Sequence, residues 1–449
     1  MNTSLTLSPA LVDFALKMRA ADENALVART STRRFIITST ARLVSIITSP
    51  ADQAGIWGVA HARPGAGEAT IAATGDPGSI VGQQQIFDKL GQQWGMWVTT
   101  TLEAGGLPQL VYASIACRDA MVWAAKRVSS SSKSTPAARL AAALVLNTAH
   151  LGRTAGSMAA PAALELIREH FISPLDTAEE THLGVWVDFP AITPTSERSM
   201  SALDEDAAAE GTTLGKAFDK MHAQVGERRI SRAARLIPLL EPHLHARHKD
   251  LVAALALLEK HPGPPAPYLE AQVGEDAAYL VRAMAGPYTP NPGNLPAAIA
   301  TLSARERALE AVTKTLWATD QLEQARGIIS GDVLTGTPQS DGLLVGGASL
   351  IRARADDSFT GPDGRTYTVT DLDTTDTGTL ITFNKPLPDA AGALVLTPAA
   401  STHKGRWVKE TWVNTGTHPQ DQGPGAPAPD GGEVAAAGGW GAWAEGLKR

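Results

Sequence analysis

The chain has 449 residues, 43% of them hydrophobic and 19% charged, with 39 Lys and Arg against 46 Asp and Glu for a formal net charge of −7. That balance is globular, gives room for about two to three domains, and is too mild for a strongly basic nucleic-acid domain, although a local basic groove is compatible with it. A single cysteine, Cys117, excludes an internal disulfide framework and reads as a buried small hydrophobe, and no run of about 18 apolar residues marks a membrane span.

Met1 to Ala10 has neither a basic n-region nor an apolar core, so a classical secretory signal is not expected; the expected location is the cytoplasm or an assembled particle. Residues 9–29 then read as a helix, with Leu11, Phe14, Ala15, Met18 and Ala25 near helical spacing. Phe35-Ile36-Ile37 and Leu43 to Ile47 are β-branched runs compatible with short strands or one buried helix. Residues 55–74 read as a β-hairpin turning at Pro64-Gly65-Ala66-Gly67. Ile86, Leu90, Trp94, Trp97 and Val98 form the apolar stripe of a helix that Gly105-Gly106 ends. Pro108 is expected to open a second helix, apolar on two faces through Val111, Ile115 and Val122 and through Tyr112, Ala116 and Trp123, and so buried between neighbours.

Thr135-Pro136 supplies an N-cap and an N1 proline, with Gly152 as the stop. A further helix carries Leu164, Ile167 and Phe171, and 186–189 reads as a short strand. From residue 212 to about 325 the pattern is helical again, broken by Pro and Gly at 262–267 and 286–296, with Leu251, Val252, Leu255 and Leu258 on one face. At Gly327 the period drops to two. Thr366, Thr368 and Thr370 alternate with Tyr367 and Val369; Leu380, Thr382 and Asn384 alternate with Ile381 and Phe383; two more runs follow at 393–396 and 407–412. Pro362-Asp363-Gly364 and Asp376-Thr377-Gly378 are turn signals between these strands.

The expected fold class is mainly α with a small antiparallel β-domain near the C-terminus, then a disordered tail. The expected division is a helical domain with a hairpin (1–190), a polar linker (191–211), a second helical unit (212–326), the β-domain (327–414) and a tail (415–449). The tail lacks the apolar content to offset its ordering entropy, yet ends in Trp440, Trp443 and Leu447. Those side chains have no local core to enter, so they are the expected partner-binding residues.

Other candidate sites are weaker. Residues 243–248 hold three histidines, of which His245 and His248 share a helix face at about 100° per residue; they are the first metal ligands to test, without the intervening glutamate of a zinc helix. Arg63 to Thr70 outlines a phosphate loop, but Glu68 stands where a lysine is needed, and a hairpin turn explains the same residues. The turn at 152–157 could hold an anion through Arg153 and its amides. Asp371, Asp373 and Asp376 lack the oxygen spacing of a calcium loop. Basic clusters occur at Arg29, Arg33, Arg34 and Arg42, and at Arg228, Arg232 and Arg235, whose i, i+4, i+7 stripe could track phosphates. No nucleophile–base pair or dinucleotide fingerprint is legible.

The segment from Gln93-Trp94 through Arg118 to Trp123 and Lys126-Arg127-Val128 faintly resembles a stretch of nucleoproteins from negative-strand RNA viruses. It covers under a tenth of the chain and carries no diagnostic motif, so it assigns no family. The expected function is a non-enzymatic structural or assembly protein that self-associates or enters a larger particle, such as a viral coat, nucleoprotein or virion component. A homo-oligomer or larger protein assembly is expected, with nucleic acid as an open partner, no membrane and no cofactor. An adaptor or cargo docked by its C-terminal peptide and a metal-dependent enzyme with a histidine site are the alternatives.

Overall fold

The structure is a computed structural model, and it describes residues 9–48, 55–174, 183–189, 229–285, 295–347, 349–388, 390, 392–399, 405–408 and 411–414. The chain divides into two units, Met1–Ala399 and Ala400–Arg449. It is an α+β protein with a closed antiparallel barrel in the last part of the first unit.

The first helix, α1 (Pro9–Glu23), is shorter than the 9–29 segment expected. Asn24 breaks it with φ at +45°, a left-handed conformation that asparagine tolerates. The chain then enters β1 (Val27–Ala28), which pairs with β6 (Phe171–Ile172). Ala20 and Leu16 pack on Val27 and Ile172. The Leu11–Phe14–Met18 stripe faces solvent instead, at 41, 62 and 49% exposure.

A mixed sheet of order β4-β3-β2-β5 forms the centre. The 33–49 ambiguity resolves as β2 (Arg42–Thr48), antiparallel to β3 (Ile56–Ala62), which turns back through the expected hairpin into β4 (Thr70–Ala73). Val44, Ile46, Ile56 and Val59 face α2 (Ile80–Glu103) and α4 (Pro136–Leu151). Ile47, Trp57 and Ala60 face Leu240 and Leu244 of α7 (Arg229–Glu259). A sheet covered on both faces reads as continuous apolar runs without alternation, and hence the helix alternative arose.

Pro108 opens no helix. Leu110–Tyr112 is β5, parallel to β2, and Ser114 caps α3 (Ile115–Ser130) by accepting from the Cys117 N–H. The buried face of α3 is Ala120, Met121, Ala124, Ala125 and Val128, whereas Ile115 and Trp123 are exposed; Cys117 is half-buried. A three-residue strand is too short to reveal its period, so the two-faced helix was a misreading of the strand–helix joint.

Thr135 caps α4 through the Ala138 N–H, Pro136 follows at N1, and Gly152 is the C-cap. The alanines of α4 let α2 come very close: a Cβ on Gly91 would lie 1.9 Å from the Ala137 carbonyl oxygen. Gly91→Ala should therefore cost about 1–3 kcal/mol by overpacking against backbone. Gly95→Ala on the same helix meets nothing within 4 Å and should gain up to about 1 kcal/mol of helix propensity. Denaturant midpoints read both, and equal midpoints for the two variants would refute the close crossing.

Next come α5 (Ala163–His170) and α6 (Leu183–Asp188). The latter replaces the strand expected at 186–189; Val185 and Trp186 are buried in a helical turn, where tertiary packing overrides β-propensity. Then α7, α8 (Leu269–Met284), α9 (Leu295–Thr319) and α10 (Gln321–Ser330) complete the helices among the described residues. Leu251, Leu255 and Leu258 of α7 share one core with Leu164, Ile167 and Trp186. No helix among the described residues is long and apolar enough to cross a membrane.

The barrel strands are β7 (Leu334–Gln339), β8 (Gly342–Gly346), β9 (Ser358–Thr360), β10 (Thr366–Thr375), β11 (Gly378–Phe383) and β12 (Leu394–Pro398). They close in the order β10-β11-β8-β7-β12-β9. Tyr367, Val369, Ile381, Phe383 and Leu396 fill the interior, as the period of two requires. The two turn signals lie between β9 and β10 and between β10 and β11. In the second unit, β13 (Gly405–Val408) pairs with β14 (Thr411–Asn414), placing Trp407 opposite Trp412.

Candidate functional site

After β1 the chain runs as a bent strap, residues 29–34, held on two sides. Arg33 N–H donates to Pro264 O at 2.7 Å and Ala266 N–H to Arg33 O at 2.8 Å. Opposite, Asp320 separates α9 from α10. Its Oδ1 accepts from the Leu322 and Glu323 N–H groups at 3.0 and 3.1 Å, capping α10. Its Oδ2 accepts from Ser31 N–H at 2.9 Å, Thr32 N–H at 3.1 Å and Thr32 Oγ1 at 3.0 Å. One buried carboxylate thus starts a helix and pins the strap.

The Arg34 side chain, 11% exposed, lies 3.3 Å from Glu169, 3.2 Å from Glu323 and 3.6 Å from Asp320. Burial works to lower the guanidinium pKa, but Glu169, Glu323 and Asp320 together raise it. For Glu169, burial prevails over the pull of Arg34 and the carboxyl is pushed up. For Asp320, burial is outweighed by the Glu323 N–H, Arg34 and the Thr32 and Ser31 donors, and the carboxyl is held below its ordinary range.

Two buried histidines underlie the strap. His170 Nε2 accepts from Arg34 N–H at 2.8 Å while its Nδ1 meets Leu166 O at 2.7 Å, which assigns the proton to Nδ1. His261 Nδ1 accepts from Gly263 N–H at 3.0 Å and its Nε2 lies 3.0 Å from Thr30 O. Burial lowers both, His170 to about 4, so both are neutral hydrogen-bonding hinges of the fold at pH 7.

Over this floor opens a cleft of about 370 Å³, lined by Arg29, Thr30, Arg34, Glu165, Arg168, Glu169, Glu323 and Arg326. Arg326 pairs with Asp13 at 2.5 Å and with Glu323; Arg29 pairs with Asp13 at 2.9 Å. A second hollow of about 280 Å³ shares Arg29 and Arg168 and is walled by Phe14, Phe171 and Trp186. Together they place ion-paired guanidiniums and their carboxylates beside aromatic surface.

The Arg29–Arg34–Arg42 cluster read from sequence is therefore dispersed. Arg34 is internal, and Arg42 lies over the Trp97 ring at 4.6 Å on another part of the body. His245 is exposed on α7 whereas His248 is buried, with neither ring nitrogen of His248 hydrogen-bonded; both lie in mid-helix. Among the described residues no three metal-ligating side chains converge. Trp440, Trp443, Leu447 and Arg228 lie outside the described residues, as do the side chains of Arg232 and Arg235. The 63–70 segment is a hairpin turn, and the turn at 152–157 leads the Ser157 hydroxyl and the Met158 N–H to donate to Asp276 Oδ2 at 2.8 and 3.0 Å.

Asp320, Glu169, Glu323, Arg326, His170 and His261 escaped sequence reading. For Asp320 a signal existed: Asp320-Gln321-Leu322-Glu323 has the spacing of a helix-start box inside a stretch read as continuous helix. No family model, no curated protein and no solved structure matches this chain.

Proposed function

We propose that the protein is a non-enzymatic assembly component that self-associates or sits in a larger particle, as a coat, nucleoprotein or virion component does. In this reading the body is mainly helical, the barrel is an appended β-domain, and Trp440, Trp443 and Leu447 end a tail that makes a tethered contact. A tethered contact raises avidity without a large fixed interface.

The observation that supports it is apolar side chains at helical spacing outside the core. Leu11, Phe14 and Met18 do this on α1, and Leu302 and Leu309, 57 and 58% exposed, do it on α9. Seven residues apart, the two leucines share one face, and burying each against a partner is worth about 1.5–3 kcal/mol.

Size-exclusion chromatography with light scattering tests this on the full chain, on a chain ending at Thr415, and on a Leu302→Glu, Leu309→Glu double variant. The full chain should assemble, and both altered chains should give smaller species at the same concentration. A full chain that stays monomeric at high concentration overturns the reading.

A further inference from the structure

We propose that Arg153, Arg305 and His150, where the C-terminal end of α4 meets α9, form a binding site for a phosphate-class dianion, free or carried as a phosphomonoester on a small molecule. The proposal goes beyond the assembly reading and does not depend on it.

The turn after α4 is held against both later helices. Gly156 takes φ at +80°, and a Cβ there would lie 3.0 Å from Val312 of α9 and 3.2 Å from Tyr268, the residue before α8. The Ser157 hydroxyl and Met158 N–H anchor the turn on Asp276 of α8. Two turns before Val312, Arg305 reaches back to α4. Its Nη2 donates to the His150 carbonyl at 3.3 Å and lies 3.4 and 3.5 Å from the two nitrogens of the His150 ring. That leaves its Nη1 and Nε without an acceptor among the described residues. Arg153 is exposed on the turn itself. The Tyr279 ring of α8 lies near parallel to His150, with centroids 6.0 Å apart.

Three basic groups thus face one another. Burial and then Arg153 push the Arg305 guanidinium down, and burial, Arg305 and Arg153 push the His150 imidazole down; only the Tyr279 phenol works the other way, on Arg305. Among the described residues neither arginine has a carboxylate partner. Asp276 is committed elsewhere, with Oδ2 on Ser157 and Met158 and Oδ1 on the Gln272 amide at 3.0 Å. The 286–294 connection carries no Asp or Glu in its sequence. The carbonyl end of α4 supplies about half an elementary charge, which falls short of two guanidiniums.

Two planar donor forks and a ring N–H suit a tetrahedral oxyanion, whose several oxygens can each accept a charge-assisted bond. A carboxylate carries one charge and would leave one arginine unanswered. Arg305 is already fixed on a carbonyl, so it loses little further freedom on meeting the ligand.

The test is titration calorimetry of the full chain with inorganic phosphate, glycerol 3-phosphate and acetate at constant ionic strength. Phosphate should bind saturably at one site, and acetate about tenfold or more weaker, the equivalent of one lost charged hydrogen bond. Tighter binding of the ester than of phosphate would identify an esterified ligand, and the reverse order the free ion. Arg305→Gln should weaken phosphate about 10- to 150-fold. Arg153→Gln should weaken it in the same direction with an unchanged melting curve, because that side chain is exposed; it decides the matter even where Arg305→Gln fails to fold. Arg139→Gln, at the far end of α4, should bind as the native chain does. No saturable phosphate binding, acetate binding as tightly as phosphate, or phosphate binding indifferent to Arg153→Gln overturns the proposal.

Discussion

Between about pH 6.5 and 4 the native state should lose about 3 kcal/mol through each of His61 and His170. Both imidazoles are pushed down to about 4, first of all by burial. His61 is satisfied as a neutral ring: Trp94 Nε1 donates to its Nδ1 at 3.3 Å and its Nε2 lies 2.5 Å from Gln93 Oε1. The unfolded chain protonates the same groups near their ordinary value. Unfolding therefore takes up protons across that window, stability is complete above pH 6.5, and it is lost as pH falls toward 4. His150, His248 and His261 are lowered by burial too and act in the same direction. Glu165, Glu169 and Asp276 are raised by burial and bind protons more readily when folded, so they offset part of the loss at the acid end. Urea midpoints at pH 7 and 5 measure the slope. His170→Gln should flatten it by about 0.7 proton on average across that range whatever its effect on absolute stability; an unchanged slope would refute the buried neutral assignment.

Asp320→Ala should destabilise the protein by about 3–5 kcal/mol, because it strips a buried carboxylate from Arg34 and leaves the Ser31, Thr32, Leu322 and Glu323 donors short of an acceptor. Asp320→Asn retains an oxygen for the cap and should lose less. Combining Asp320→Ala with Arg34→Met should cost less than the sum of the single changes, since the second removes the charge the first orphans. Asp320 is held low in the native state, so its contribution is present above the ordinary carboxylate range and is lost as pH falls through the folded value. Additive losses in the double-mutant cycle would mean that Arg34 and Asp320 are not coupled.

Local chemistry explains what was legible in the sequence. Thr135-Pro136, Gly105-Gly106, the Pro64-Gly65 turn and the alternation around Tyr367 and Ile381 each act within a few residues, and each marks its element. Leu110-Val111-Tyr112, taken for helix, and the 186–189 segment, taken for strand, were misread because a buried strand and a buried helical turn carry the same apolar residues. The charged cleft was illegible for a different reason. Arg34 meets carboxylates far away in the chain, 135 residues on in the case of Glu169, and no spacing rule spans such a gap. Arg29, Arg33 and Arg34 form a basic run in the sequence, but their partners, Asp13 and the Arg168 carbonyl for Arg29, the Gly263 carbonyl for Arg33, and Glu169, Asp320 and Glu323 for Arg34, come together only in the fold.

The strap also sets an order of events during synthesis. Thr32 emerges from the ribosome 288 residues before Asp320, its hydrogen-bond acceptor. At about 5–20 residues per second that is a wait of about 15–60 s. Throughout it the Arg34 guanidinium lacks the two carboxylates at the start of α10, and the Ser31 and Thr32 N–H groups lack their acceptor. The nascent chain therefore carries an unfinished strap, with these donors and this guanidinium unmatched, until translation passes Glu323.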